Sequence, residues 1–165
     1  MEDTTMAADD AWDREDMEKA AYHEAGHAVV AWSFDLVVRS VHLDVANNSG
    51  HAKIADADRL EDVTHRVAVS YAGFEAEDMF KRPAVFVRAQ DDFDRASEAL
   101  KNALANQFGK GLSSPEGRRL QAACRARAQD RIIEHEAKVR RVAKELLQPP
   151  YEIGRAKFEQ MMQED

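Results

Sequence analysis

The chain has 165 residues, with 23 lysines and arginines against 31 aspartates and glutamates, which gives a formal net charge of −8. This balance argues against a nucleic-acid binder that depends on counterion release, because most of the surface would repel phosphate. The composition, 44% hydrophobic and 33% charged, is typical of a single globular domain. Cys124 is the only cysteine, which excludes a disulfide within the chain and a multi-thiolate metal site. Any metal must therefore be held by histidine and carboxylate side chains.

No segment of the sequence is apolar for long enough to cross a membrane. The longest apolar stretch, residues 28–38, is interrupted by Ser33 and Asp35, whereas a spanning helix needs about 20 apolar residues. The amino-terminal segment is acidic rather than basic and precedes no cleavable apolar run, so it is neither a secretory signal nor a transit peptide. The sequence predicts a cytoplasmic protein without a membrane span.

Hydrophobic periodicity predicts a mainly α-helical domain with a small β-hairpin next to the first helix. Residues 1–12 are polar and acidic and are predicted to form a disordered tail, which leaves residues 13–165 as one domain. Apolar residues at helical spacing, valine-rich alternation and turn residues define the first elements. These are a helix at 13–34, a strand at 37–45, a turn at 47–50, a returning strand at 51–55 and a helix at 59–80.

Caps and helix breakers define the second half of the chain. Asp91 or Asp92 is predicted to cap a helix that stops at Gly109. Ser114-Pro115-Glu116 combines the cap, the first-turn proline and the acidic residue that are typical of a helix start. It is predicted to open one long helix to about residue 146, and a short last helix is predicted at 151–161, after Pro149-Pro150.

One motif in the first predicted helix carries the chemistry. His23-Glu24-Ala25-Gly26-His27 is a His-Glu-x-x-His sequence. Residues four apart lie on one helix face, so the two imidazoles can share one cation. Zinc accepts imidazole and carboxylate ligands, and Glu24 can act as general base on the water that a catalytic zinc retains. Random placement would produce roughly 0.02 such matches in a chain of this composition, so coincidence is the weaker interpretation.

The position of a third ligand distinguishes the classes of His-Glu-x-x-His protein. The metzincin extension requires a glycine and a histidine where this chain has Val30 and Ser33. A thermolysin-like site needs a glutamate about 20 residues further along, where Asn47 and Asn48 stand. Both classes are therefore excluded.

Residues 21–30, Ala-Tyr-His-Glu-Ala-Gly-His-Ala-Val-Val, resemble the metal-binding helix of the FtsH-type ATP-dependent zinc proteases. The likeness continues in the same order over nearly the whole chain, from about residue 16 to residue 161, and such an ordered set is more specific than the motif alone. It includes residues 71–77, similar to the family's Gly-Arg-x-Ala-Glu helix, residues 89–97, similar to its Asn-Asp segment, and residues 108–113, similar to its Tyr-Gly-Met-Ser stop. The resemblance implies the helical zinc-metallopeptidase fold of that family.

The resemblance also implies roles for particular side chains. His23 and His27 match the zinc ligands, Glu24 matches the catalytic base, and Asp92 matches the third ligand. Glu77 matches an acidic position near the metal helix, where a carboxylate can orient an imidazole. The alternatives are that Asp92 is a helix cap without a metal and that Glu77 is a solvated helix charge. Asp92 is preferred as the ligand because a capping position at a helix start projects its short side chain away from its own helix.

Other features depart from the family. The sequence contains no transmembrane helix, no ATPase module and no Gly-x-x-x-x-Gly-Lys-Ser/Thr loop, so no nucleotide-binding residues are predicted. Residues 83–88 replace a threonine-rich stretch, and Phe74 stands where the family has arginine. These changes affect substrate handling and ring assembly but leave the metal residues intact. A separate ATPase chain is an implied partner.

The remaining candidate residues are interpreted as ordinary. His42, His51, His65 and His135 have no partner at ligand spacing in the sequence. Cys124 falls on a predicted inner helix face, where it would be a small hydrophobe. The charged run at 118–141 is interpreted as a solvated helix face, with a homo-oligomer surface as the alternative.

The leading functional hypothesis is a zinc-dependent metalloendopeptidase that hydrolyses peptide bonds of unfolded polypeptides. The strand near residues 41–45 is expected to receive the substrate as an added β-strand. One alternative is a zinc-binding regulatory or interaction protein that retains the peptidase fold with weak or no turnover. Another is a purely structural helical domain, which predicts no stoichiometric metal.

Overall fold

Helices form most of the protein, around a small antiparallel sheet. The computed structural model describes residues 12–55 and 62–165. Residues 1–11 of the tail predicted at 1–12 and the start of the helix predicted at 59–80 lie outside these ranges. Trp12 is described and packs against the core, so the tail prediction is wrong at that residue. The mainly α-helical class is confirmed. In chain order the elements are α1 (Arg14–Ser33), β1 (Val38–Asp44), β2 (Ser49–Ile54), α2 (Val63–Phe80), α3 (Gln90–Phe108), α4 (Pro115–Glu134), α5 (Glu136–Leu146), β3 (Glu152–Gly154) and α6 (Arg155–Gln163).

Local chemistry sets several element boundaries. The Asp13 carboxylate accepts a hydrogen bond from the backbone N–H of Asp16 and so caps α1. Ser114 caps α4 in the same way, with Pro115 in the first turn. Gly109 ends α3 at φ 59°, a left-handed conformation that glycine adopts without steric cost. These three boundaries match the sequence prediction.

Helix α1 is the centre of the fold and packs against α2, α5 and the sheet. Its middle is buried almost without interruption from Ala20 to Ala31. A Cβ atom added at Gly26 would lie 2.5 Å from the carbonyl oxygen of Ala72 and 2.6 Å from the Cβ of Ala76. Backbone crowding therefore explains this glycine in a helix interior, and the close approach brings the motif directly onto α2.

The sheet has the strand order β2-β1-β3, with both pairs antiparallel. The predicted hairpin is present, but β3 was not predicted. Because β3 pairs with β1 around Val41, neither edge of β1 is free. The expectation that residues 41–45 receive a substrate strand is therefore wrong. Strand β2 borders the cleft described below. Within the described ranges, its outer edge pairs with no other strand.

Two further helix predictions need correction. The long helix predicted to run to residue 146 is interrupted at His135, whose φ of −114° and ψ of 28° are not helical. The interruption lets α4 pack on α2 while α5 packs on α1. Neither Asp91 nor Asp92 caps α3, because the cap position is Ala89 and both aspartates lie in the first helical turn. Negative charge is favourable there too, next to the positive end of the helix dipole.

Cys124 is fully buried on α4, and burial raises the pKa of its thiol to about 11. Its environment is that of a small hydrophobe, as predicted. Within the described ranges, no helix combines the length and the apolarity that a bilayer crossing requires.

Candidate metal centre

Three side chains from two helices converge at one point. His23 and His27, one turn apart on α1, are 2% and 8% exposed. Their Nε2 atoms lie 3.2 Å apart, and the Oδ2 atom of Asp92 on α3 lies 3.1 Å from each. A metal ion needs several histidine, cysteine or carboxylate ligands close together. Among the described residues, His23, His27 and Asp92 form the one group of three whose ligand atoms lie that close as the side chains stand. The structure thus brings Asp92 to the two motif histidines, as predicted.

The hydrogen bonds of the two Nδ1 atoms fix which nitrogen carries the hydrogen when each ring is neutral. Nδ1 of His27 donates to the backbone carbonyl of Val69 over 2.7 Å, and Nδ1 of His23 donates to Glu77 Oε2 over 3.1 Å. A carbonyl and a carboxylate can only accept, so each Nδ1 carries the hydrogen and a neutral ring presents its lone pair at Nε2. Two nitrogen lone pairs and one carboxylate oxygen then face each other at close range. Only a cation or a proton between them relieves this repulsion.

The dimensions of the cluster suit a tetrahedral metal ion. Zinc–ligand bonds of about 2.0–2.1 Å place ligand atoms about 3.3 Å apart in a tetrahedron, close to the observed 3.1–3.2 Å. Gly73 on α2 keeps the space in front of the nitrogens open. A Cβ atom there would lie 2.4 Å from His27 Nε2 and 2.6 Å from His23 Nε2. The close packing at Gly73 is therefore packing against the two imidazole rings themselves.

The electrostatics of the cluster also favour a cation. Burial lowers the pKa of His23, but the hydrogen bonds to Asp92 and Glu77 outweigh it and raise the value to about 9. Burial opposes ionisation of Asp92, and the charges and hydrogen bonds of His27 and His23 nevertheless hold its pKa well below the usual range. Positive charge is thus stabilised among these side chains.

Glu77 lies behind His23 rather than at the point of convergence. It is fully buried on α2, so the solvated-charge alternative is wrong. Besides the His23 ring, it accepts a hydrogen bond from the backbone N–H of Val85 over 2.8 Å, and Arg88 Nε lies 3.6 Å from Oε2. Arg88 was missed by the sequence analysis, although it lies in the segment that departs from the family. The carboxylate therefore fixes the ring of His23 and ties that segment to the centre.

Glu24 faces a cleft of about 820 Å³ that opens over the three converging atoms. The side chain is 5% exposed, and a Cβ atom added at Gly50 on β2 would lie 2.7 Å from its Cγ and 2.8 Å from its Oε1. Strand β2 forms one wall of the cleft, while Val85, Val87 and the first turns of α3 form the other. Glu24 and the three converging side chains therefore lie on one and the same cleft.

The four other histidines are not part of this cluster, although His51 lines the same cleft. His65 stacks on Phe34, and His135 meets the ring of Trp32 edge-on. His42 and His51 are neighbours across β1 and β2, a pairing that spacing along the chain does not reveal. The register of the predicted hairpin was the signal that could have shown it.

Comparison with models of protein families and with curated proteins finds no match to this chain.

Proposed function

We propose that the protein is a zinc-dependent metalloendopeptidase that cleaves unfolded polypeptides, as the resemblance to the FtsH-type proteases implies. The observation that carries the proposal is the convergence of two imidazole lone pairs and one carboxylate oxygen beside Glu24. A purely structural domain could keep these three atoms together only with a proton between them, whereas a metal ion would be stabilised by all three at once.

In this proposal His23, His27 and Asp92 hold the zinc, which when bound lowers the pKa of a water molecule and polarises the scissile carbonyl. Glu24 accepts a proton from the water as its oxygen attacks the carbonyl carbon. The same carboxyl group then donates that proton to the leaving amine, so Glu24 returns to its ionised state. Glu77 keeps the proton of His23 on Nδ1, away from the ligating nitrogen.

The unpaired edge of β2 is the place where the substrate would bind. An extended peptide can add to this edge through main-chain hydrogen bonds, which require an unfolded segment but no particular sequence. Side chains of such a peptide would lie near Ala52 and Ile54, which line the cleft. Folded substrates would first need unfolding, and a separate ATPase chain is the partner suited to supply it. The proposed compartment is the cytoplasm.

The donor set by itself does not select zinc. Two histidines and one carboxylate also serve ferrous iron in oxygenases. Glu24 favours zinc and hydrolysis, because a carboxylate next to the ligands supplies the general base that peptide hydrolysis needs. Metal analysis of the purified protein tests this choice, with one equivalent of zinc as the expected result and iron as the result that contradicts it.

The substitution Glu24→Gln tests the proposed base. Glutamine keeps the shape of the side chain but cannot accept the proton, so we expect hydrolysis of a quenched peptide to fall by about 10²–10⁴-fold. Zinc content and circular dichroism should stay unchanged. The matched control is Glu15→Gln, an exposed glutamate at the start of the same helix, which should retain the wild-type rate.

Two outcomes would contradict the proposal. A Glu24→Gln rate within about threefold of the wild type would show that this carboxylate is not the base. A wild-type protein that carries zinc but cleaves neither casein nor the peptide would support the alternative, a zinc-binding regulatory protein that retains the peptidase fold. Chelation must abolish any activity that is found.

A further inference from the structure

Two histidines and a glutamate, side chains of the types that bind transition metals, also form a row across the sheet. In the β1–β2 register, His42 is directly opposite His51, and in the β1–β3 register it is directly opposite Glu152. Directly opposite residues point to the same face, with Cβ atoms about 4.5–5.5 Å apart. The three side chains therefore form one continuous row, from β2 across β1 to β3.

This row is on the solvent side of the sheet. Val41 and Leu43, the neighbours of His42 on β1, are buried in the core. Because side chains alternate along a strand, His42 points to the opposite face. His42 is half-buried, while His51 and Glu152 are exposed. A cation from solution can reach all three without any opening of the fold.

The two rings are almost close enough to bind the same metal ion. Their centroids are 5.9 Å apart with the rings edge-on, against 4.8 Å for His23 and His27 in the cluster on α1. A movement of about 1 Å, within the reach of exposed side chains that change rotamer, brings the second pair to the spacing of the first. Asp44 lies on the same face but is engaged with Asn47 through two hydrogen bonds. Glu152 is therefore the better third ligand.

We propose that His42, His51 and Glu152 form a second binding site for a divalent transition metal ion such as Zn²⁺ or Ni²⁺. Imidazole and carboxylate are the ligands that these ions select. The site is open to water and its ligands must lose rotamer freedom when they bind, so it fills after the buried cluster. It does not depend on the proposed peptidase activity.

Calorimetric titration of Zn²⁺ into the full-length protein already loaded with one equivalent tests the site. We expect a second saturable equivalent, complete below about 1 mM Zn²⁺. His42→Gln and His51→Gln should each weaken it by at least about tenfold. The matched control is His65→Gln, which removes a histidine that also lies beside a carboxylate, Asp62, but has no second imidazole opposite it. This variant should bind the second equivalent as the wild type does.

Nuclear magnetic resonance of the imidazole groups gives an independent readout. The signals of His42 and His51 should shift together in the second step of the titration, while that of His65 stays in place. Absence of a second saturable equivalent would overturn the proposal. So would a second equivalent that persists in both variants, or a response from only one of the two rings.

Discussion

The substitution Gly73→Ala tests the metal centre most directly, because it leaves every ligand in place. The added methyl group would lie 2.4 Å from His27 Nε2 and 2.6 Å from His23 Nε2, whereas ordinary contact begins near 3.4 Å. Each nitrogen must therefore retreat by about 1 Å, although a metal site tolerates deviations of only about 0.2 Å in its bond lengths. We expect zinc affinity to fall by more than the roughly 10–100-fold that loss of a supporting residue costs.

The fold itself should survive this substitution. Alanine is more favourable than glycine in a helix interior by about 1 kcal/mol, which offsets part of the crowding against the imidazoles. Competition with a chromophoric chelator measures zinc affinity, and circular dichroism monitors the fold. Gly111→Ala is the matched control, since a Cβ atom there meets nothing within 4 Å. A Gly73→Ala protein that binds zinc within about threefold of the wild type would refute the proposed position of the metal.

Three further predictions concern the same candidate metal centre and the side chains around it. Asp92→Ala should lose more than the roughly 10–100-fold in zinc affinity expected for Glu77→Ala, and the opposite order in a competition titration would invert the assignment. Because the pKa of His23 is raised from 6.5 to about 9 in the metal-free protein, protonated His23 stabilises the fold fully below pH 6.5, and this contribution is lost as the pH rises towards 9. Zinc must displace that proton, so its measured affinity should rise by about tenfold per pH unit between these values, and a flat profile would contradict this. Gly50→Ala should displace the flexible Glu24 side chain and reduce peptide hydrolysis at least tenfold, while zinc affinity stays within about threefold of the wild type. Loss of both hydrolysis and zinc affinity would show instead that β2 supports the metal ligands.

The local parts of the site could be predicted from the sequence, and the distant parts could not. His23 and His27 are four residues apart on one helix, so helical geometry alone places them together. Asp92 is 65 residues from His27 in the chain, and only the resemblance pointed to it. The expected reason for its position, a helix cap, was wrong. Contacts between distant segments depend on tertiary packing, which periodicity does not encode.

The sequence did not predict β3 or the interruption between α4 and α5, because both also depend on contacts between distant segments. β3 has only three residues, Glu152–Gly154, and exists because it pairs with a strand more than a hundred residues earlier. The interruption at His135 has no glycine or proline to mark it, and the apolar pattern from Ile132 to Val139 continues across it at helical spacing. Only the different packing partners of α4 and α5 explain the change of direction.

The close approach of α1 and α2 has a consequence for how sequence variation can accumulate in this protein. At Gly26 the helices meet with backbone and Cβ atoms, which have no rotamers through which a larger side chain could be accommodated. The same helix face carries His23 and His27, so a displacement of the helices at this contact shifts both imidazoles. The exposed faces of α4 and α5 face no such restriction. Substitutions tolerated over time should therefore collect there, while the seam changes only together with a compensating change on the other helix.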